Sequence, residues 1–570
     1  MKDNQLKLIF VILAFSFCLN AKSQIPNWQW AKSAGSTGYD GGTYITSDAA
    51  GNVYTTGYFE GTVDFDPSAG ILNLTAVGGS DIYLLKLDPS GNLNWAKSIG
   101  GLTTDNCKSI AFDTLANVYL TGTFQGTADF DPGASIFNLT AAGYDDVFIL
   151  KLDSSGNFIW AKAIGAIDYD QGYSITVDDN NDLLTCGSFS STVDFDPGVG
   201  VFNLTSPGWD AFILKLTSAG DFVWAKQLDG SNGYAQAKAL TTDSAGNIYT
   251  VGEFEGTVDF DPGVNSFNIS ATAGATNVFI SKLDSAGNFV WAKAVVGYAA
   301  AYVTSITLDA AQNIYFSGYF YGTLDLDPGP ATVIVNSFDG EEDVFFIKLD
   351  NAGNYLWGKT FGGMGTDAAW GLTLDSAANL YLTGTFRSTF DFDPGAAVFN
   401  MTPLGIFSIY ISEFDSAGNF VHAIAAGGTG ADVAGSIAID NNHNLYLTGR
   451  FGSPVVSFGT HTILNASATG WDTFIAKLGD NITGIESLQS ANMTSIYPNP
   501  ANDFITVKMY KASSKTSIKI YNSTMQLIKA LSFENGIENI ISTTDLNNGH
   551  YIIDVQIEGQ SFKTKFVVSR

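Results

Sequence analysis

A unit of about 65 residues recurs along most of this 570-residue chain, and its period constrains the fold more than any other feature. The marker is Trp-Ala-Lys, beginning at Trp30, Trp95, Trp160, Trp224 and Trp291, with Gly358 in place of the alanine after Trp357 and His422 in place of the tryptophan in the last copy. A second marker, the glycine of a TG-x-F-like segment, keeps the same register at Gly57, Gly122, Gly187, Gly252, Gly318, Gly384 and Gly449. Strict periodicity of this length means units that stack to share a core none of them could build alone.

Each unit reads as four strands. In the second copy they are SIAFD, NVYLTGTF, DDVFILKLD and NFIWAKAIG, rich in β-branched and aromatic residues and without helical period. D-x-x-G-N-like turns such as Asp48 to Asn52, Asp153 to Asn157 and Asp284 to Asn288 join the first strand to the second and the third to the fourth. Glycine there supplies the positive φ of a tight hairpin, and aspartate caps the turn. Seven such copies predict an all-β fold: a seven-bladed β-propeller of four-stranded blades over residues 24–480, followed by a small C-terminal β-sandwich. The last copy stops after DTFIAKLGD with no Trp-Ala-Lys strand behind it, while an extra NWQWAK stands at residues 27–32. That N-terminal strand is expected to complete the last blade, closing the ring and removing an open sheet edge. With GNVYTTGYFEGTVDF, F-I-x-K-L-D-S-x-G-N and WAK, the repeats resemble the bacterial β-propeller repeat family of secreted proteins, a resemblance that implies a fold and no activity.

Residues 1–23 read as a cleavable signal peptide: Lys2 and Lys7, the apolar run LIFVILAFSFCL, then Ala21 and Ser23 as the small residues before cleavage at Gln24. No other segment reaches the ~18 apolar residues of a spanning helix. Export implies an oxidising compartment, where Cys107 and Cys186 either pair or remain two buried thiols; neither belongs to a CxxC motif. Beyond a linker at 481–493, residues 494–570 change character, with short alternating strands and Asn/Gly turns that predict the β-sandwich. The segment YPNPAND (Tyr497, Pro498, Asn499, Pro500, Asn502 and Asp503 within it), the later DLNNGHYIIDV and a closing strand ending in Arg570 are similar to the type A C-terminal sorting domain of the type IX secretion system of Bacteroidetes. The resemblance implies recognition by the type IX secretion machinery after passage through the periplasm. It further implies a product that is secreted or attached to the outer-membrane surface.

With 27 lysines and arginines against 56 acidic residues the formal net charge is −29. No polybasic stretch offsets it, which argues against nucleic acid and anionic lipid as partners. The acids are ordered. Ten residues past the marker tryptophan stand Asp40, Asp105, Asp170, Asp367 and Asp432, with Tyr234 and Ala301 as exceptions. A DFDP or DLDP segment begins at Asp64, Asp129, Asp194, Asp259, Asp325 and Asp391 and is missing from the last copy around Phe458. Two readings of these acids stand. Asp64 and Asp66, two apart on an extended strand, point to one side, and with the other acids they make the oxygen-rich set that calcium prefers. Alternatively Phe65 packs inward, Pro67 ends the pairing and the aspartates serve turns. The Asp-Ser-Ala triplets at Ser244, Ser285, Ser376 and Ser416 are similar to the O-glycosylation motif of the same phylum and suit turns equally.

Histidine is absent before His422, so no Ser-His-Asp triad or HExxH motif can be assembled across the propeller in its usual form, and no P-loop occurs. A glycosidase working through two carboxylates needs acids in unlike environments, whereas repeated loops set like acids in like surroundings. A catalytic site is expected where the repeat breaks, and Arg387, Arg450 and the shortened last insert are the visible breaks. The chain therefore reads as a secreted or cell-surface, non-enzymatic propeller, a binding or adhesion module for a glycan, matrix or protein partner. Trp209 and Trp471 are either stacking platforms or covers of their own blades. A carboxylate-dependent polysaccharide-active enzyme and a structural surface-layer component are the alternatives.

Overall fold

The computed structural model describes residues 27–467, 469–479, 495–497, 501–508, 516–522, 526–533, 538–557 and 560–568. The signal-peptide segment 1–23 and the linker 481–493 lie outside them. The chain folds as two units divided after Asp480.

In the first unit the 65-residue period becomes a repeated antiparallel sheet. The second copy is typical: Asn106–Phe112, Val118–Phe124, Asp146–Leu152 and Phe158–Ile164 pair in that order. Its two central strands are buried on both faces. Leu120, Phe148 and Leu150 pack with Tyr54 and Leu84 of the preceding copy, while Tyr119, Val147 and Ile149 pack with Leu183, Phe212 and Leu214 of the following one. Alternate side chains of one strand thus fill two cores, which is why the central strands are continuous apolar runs while the outer strand alternates. This is the packing of a β-propeller.

Neighbouring sheets also interlock through polar contacts. The second hairpin of each unit covers the marker tryptophan of the one before. Gly156, at φ 77°, lies so close to Trp95 that an added Cβ would meet the ring at 3.3 Å. Lys151 Nζ and Trp160 Nε1 both donate to the Ser218 carbonyl of the next hairpin, at 2.9 and 3.3 Å.

The strand Asn27–Ala34 pairs antiparallel with Asp472–Gly479, which pairs with Leu445–Phe451 and through it with Asp432–Ile439. The first described strand is therefore the outer strand of the last copy's sheet. Its Trp30 Nε1 donates across to the Pro89 carbonyl of the first copy at 3.3 Å. Cys107 and Cys186 are separate buried thiols. No helix of the described residues is long and apolar enough to cross a membrane.

In the second unit, described by itself, Ser495–Tyr497, Phe504–Lys508 and Glu538–Ser542 form one sheet. Leu527–Phe533, Thr516–Asn522, Gly549–Ile557 and Gln560–Val568 form another, in that order. Ile505, Val507 and Ile541 of the first share a core with Ile518, Ile520, Ile553 and Val555 of the second.

Candidate functional site

The repeated acids are drawn into the fold. Asp40, Asp105, Asp170, Asp367 and Asp432 are all buried. In each, one oxygen accepts the amide four residues earlier and the other an amide 20 or 21 residues later. For Asp105 these are Gly101 N at 2.8 Å and Gln125 N at 3.3 Å; for Asp367, Gly363 N at 2.7 Å and Arg387 N at 2.9 Å. The aspartate is a clasp between two loops, built from amide donors that suit a carboxylate and compete with a cation. Burial pushes Asp105 and Asp367 up to about 7 and Asp170 to about 6.

A second row of buried acids, at the start of the third strand, meets the first across four of the junctions between sheets. Asp81 faces Asp105, and both carboxylates converge on Gly100: a Cβ built there would lie 2.6 Å from Asp81 Oδ1 and 2.9 Å from Asp105 Oδ2. Asp472 with Asp40, Asp146 with Asp170, and Asp343 with Asp367 repeat the arrangement. Asp81, Asp146, Asp343 and Asp472 each accept one loop amide through Oδ2, while each Oδ1 is buried with no hydrogen-bond partner among the described residues.

The inserts use their aspartates locally. Asp64 Oδ1 accepts Asp66 N at 3.0 Å and Leu72 N at 2.8 Å, Asp66 Oδ1 accepts Ser68 N at 2.9 Å, and Phe65 between them is buried. Among the described residues no group of three or more histidines, cysteines, aspartates or glutamates is placed to hold a metal ion. Asp40 has both carboxylate oxygens taken by amides, whereas Asp64 and Asp66 each have Oδ1 taken.

The geometry gathers a different set of residues, of which the sequence reading had singled out Arg450 alone, as a break in the repeat. Every first strand carries a β-bulge, and the bulged residues are Thr43, Lys108, Tyr173, Lys238, Thr304, Trp370 and Gly435. A bulge leaves one residue out of the ladder and re-aims its side chain. All seven bulged residues line a cavity of about 720 Å³ along the propeller axis, or the pocket beside it. Next to them, the residue after the marker glycine of the second strand supplies Tyr58, Glu253, Tyr319 and Arg450. Both positions vary from copy to copy in a chain that otherwise repeats itself, and that variation was the available signal.

At this axial mouth the rings of Tyr302 and Tyr319 lie 5.1 Å apart, and Tyr319 lies 5.5 Å from Trp370. Trp370 Nε1 donates to Thr385 Oγ1 at 3.2 Å. Lys238 sits 4.3 Å from the Tyr173 ring centroid and 3.6 Å from Glu253. Arg450 donates to Tyr58 Oη at 2.9 Å and covers Trp471 at 5.0 Å. Burial above all, with Lys238 and Arg450 nearby, holds the Lys108 ammonium below the ordinary lysine range. Glu253 is the single carboxylate among the described residues lining the cavity. Neither tryptophan singled out from sequence is among the described residues lining the cavity: Trp209 stacks beside Tyr169 at 6.2 Å, and the face of Trp471 is taken by Arg450.

In the second unit Tyr497 ends a strand, Pro498, Asn499 and Pro500 lie outside the described residues, and the carbonyls of Asn502 and Asp503 accept Thr543 Oγ1 and N at 2.9 and 2.8 Å. Residues 495–569 match the family described as the secretion system C-terminal sorting domain, and residues 223–253 match the β-propeller repeat. The chain is a β-propeller repeat protein with a type IX sorting domain. That domain implies engagement of the type IX secretion machinery and export to the cell surface or the extracellular space. This propeller repeat protein is 24% identical over 523 residues to an uncharacterized WD repeat-containing protein of Acanthamoeba polyphaga mimivirus, covering 77% of the chain and 37% of that protein. It is 24% identical over 382 residues to the regulatory protein FlaEY of Caulobacter vibrioides, covering 62% and 36%. The chain thus spans little more than a third of the curated relatives it matches. Among solved structures, Sqt1 from Chaetomium thermophilum aligns at 12% identity and TM-score 0.36, covering 90% of this chain and all of that one. A polysaccharide lyase, the PL25 ulvan lyase, aligns at 11% identity and TM-score 0.34, covering 77% and 97%. Likeness at this level bears on neither ligand nor chemistry.

Proposed function

We propose that this chain is a secreted, non-enzymatic, seven-bladed propeller that binds an extracellular glycan at its axial mouth, with its C-terminal β-sandwich serving export. One observation carries the reading: the positions that break the repeat are the ones that converge on the axis. Repetition suffices for stacking, so bulged residues of five types at seven equivalent positions answer to something other than the core. A cavity of about 720 Å³ that sets one aromatic arc, Tyr302, Tyr319 and Trp370, beside many hydroxyls and a few charges offers the stacking surface and the hydrogen-bond partners that a saccharide takes. The face carrying the repeated aspartates, the site expected from sequence, has its carboxylates occupied by backbone amides.

A polysaccharide-active enzyme of the two-carboxylate type remains the alternative function. The cavity offers it Glu253 alone, already paired with Lys238. Both readings meet one test: the full chain is screened on a glycan array and the hits are assayed for product release. Binding without product that disappears in Trp370→Ala, at an unchanged melting temperature, supports the binding module; product release replaces it with the enzyme. Binding that survives Trp370→Ala places the site away from the axis.

A further inference from the structure

The propeller spends its positive charge almost entirely on its own repeats. Three of the 27 basic residues lie in residues 1–23 and eight beyond Glu486, leaving 16 in the propeller. Six of these are the marker lysines Lys32, Lys97, Lys162, Lys226, Lys293 and Lys359, and six more are the third-strand lysines typified by Lys86 and Lys151. The four that remain are Lys108, Lys238, Arg387 and Arg450. Arg387 lies over Phe407. The other three come from different copies and meet at the axial mouth.

Glu253 neutralises Lys238. Lys108 has no ion pair or hydrogen bond from its ammonium among the described residues, and Arg450 is held by a phenol and an indole face, with no acid beside it. Lys108 and Arg450 repel each other across one partly enclosed mouth, and the half-buried Lys108 loses hydration while Arg450 stays exposed. Asp145 is the one acid that acts on Lys108, and it makes no ion pair with it among the described residues, so a bound anion would relieve the repulsion. In a chain of net charge −29, such a spot is a local reversal of the overall field.

We propose that the axial mouth takes an anionic saccharide, whose carboxylate or sulfate seats between Lys108 and Arg450 while a sugar ring lies on Trp370. The proposal rests on the binding reading above and names the ligand class for the same site. A pyranose ring offers its apolar C–H face to the arc of Tyr302, Tyr319 and Trp370 and its hydroxyls to Asn106 and Tyr58, which line the same mouth. Arginine presents the planar fork that matches a carboxylate or sulfate, and lysine adds a point charge on its other side.

The test is calorimetric titration of the full chain, at low and raised salt, with an oligogalacturonate, a heparin-derived oligosaccharide, a cello-oligosaccharide and poly-glutamate. At least one acidic saccharide is expected to bind, more weakly as salt rises, and the two acidic probes distinguish carboxylate from sulfate. Lys108→Met and Arg450→Gln are each expected to weaken that binding about tenfold or more, with Lys108→Arg retaining most of it. Circular dichroism and melting confirm that the variants fold, and Lys108→Arg keeps the test decisive if Lys108→Met does not. A cello-oligosaccharide bound as tightly as the acidic probes, yet lost in Trp370→Ala, overturns the anionic class and leaves the glycan site standing. Binding of poly-glutamate in place of every saccharide overturns the saccharide. Silence towards all four probes overturns the proposal and the binding reading together.

Discussion

The α-carbon of Gly122 lies against the carbonyl oxygen of Asn106, so close that an added Cβ would come within 2.0 Å of it. The same contact recurs at each marker glycine, from Gly57 against Gly41 to Gly449 against Val433. The contacting carbonyl stands two residues before the bulged residue in each first strand, where the two backbones crowd each other. The glycine repeated through the chain and the side chain aimed at the axis are therefore two sides of one device. Gly122→Ala is expected to lower stability by about 2 kcal/mol or more and to displace Lys108, read by denaturant unfolding and by weaker binding of an acidic saccharide.

The facing carboxyls of Asp81 and Asp105 predict a pH dependence. Burial pushes them up to about 6 and about 7, from 3.8. Between those values the folded chain holds more protons than the unfolded one, so this contribution to stability is complete below about pH 4 and is lost as pH rises through about 6 to 7. The propeller is expected to melt lower at pH 8 than at pH 5. One junction already carries the neutral solution: Asn277 takes the place of Asp81, its Oδ1 accepting Thr272 N at 2.9 Å and its Nδ2 donating to the Gly297 carbonyl at 3.3 Å. Asp81→Asn should raise the melting temperature at pH 8 by roughly 2 °C or more and leave it unchanged near pH 4. An equal shift at both pH values would count against the protonated pair.

Lys215 and Asp178 meet at 2.8 Å with side-chain exposures of 7% and 1%, and Asp182 lies 3.2 Å from the same ammonium. Removing the cation strands a buried acid. Lys215→Met is expected to cost about 3 kcal/mol, measured by denaturant unfolding, and the double variant Lys215→Met with Asp178→Asn should recover part of the loss.

Calcium provides a direct check on the repeated aspartates. With both oxygens of Asp105 and one of Asp64 held by amides such as Gly101 N and Leu72 N, millimolar calcium and EDTA should give the same melting temperature. A rise of several degrees in calcium would show that these loops open to take the ion.

The strand closing the ring is expected to matter for more than length. Deleting residues 24–34 uncovers the edge of Asp472–Gly479 and removes the Trp30 bond to Pro89. Lower melting and concentration-dependent association on size exclusion are the expected outcomes.

Much of the architecture was legible in the chain because its cause is local and repeated. Alternation and hairpin turns mark the strands, the spacing of Trp95, Trp160 and their equivalents marks the period, and YPNPAND marks the sorting unit. The candidate site was not legible in the same way. Asp40 and Asp105 stand out in a sequence because they recur, yet recurrence is what the scaffold requires of a clasp between loops, and burial beneath amide donors is invisible to spacing. Lys108, Lys238, Trp370 and Arg450 belong to no pattern kept by all the copies and lie far apart along the chain, so no window of sequence joins them. Sequence by itself determined the strands, the period and the address of this protein, since each depends on residues close together in the chain. Only the tertiary structure decided the site. Closing the ring brings one bulged residue from each distant copy to a single axis, and the charge and aromatic surface gathered there exist only once the ring is closed.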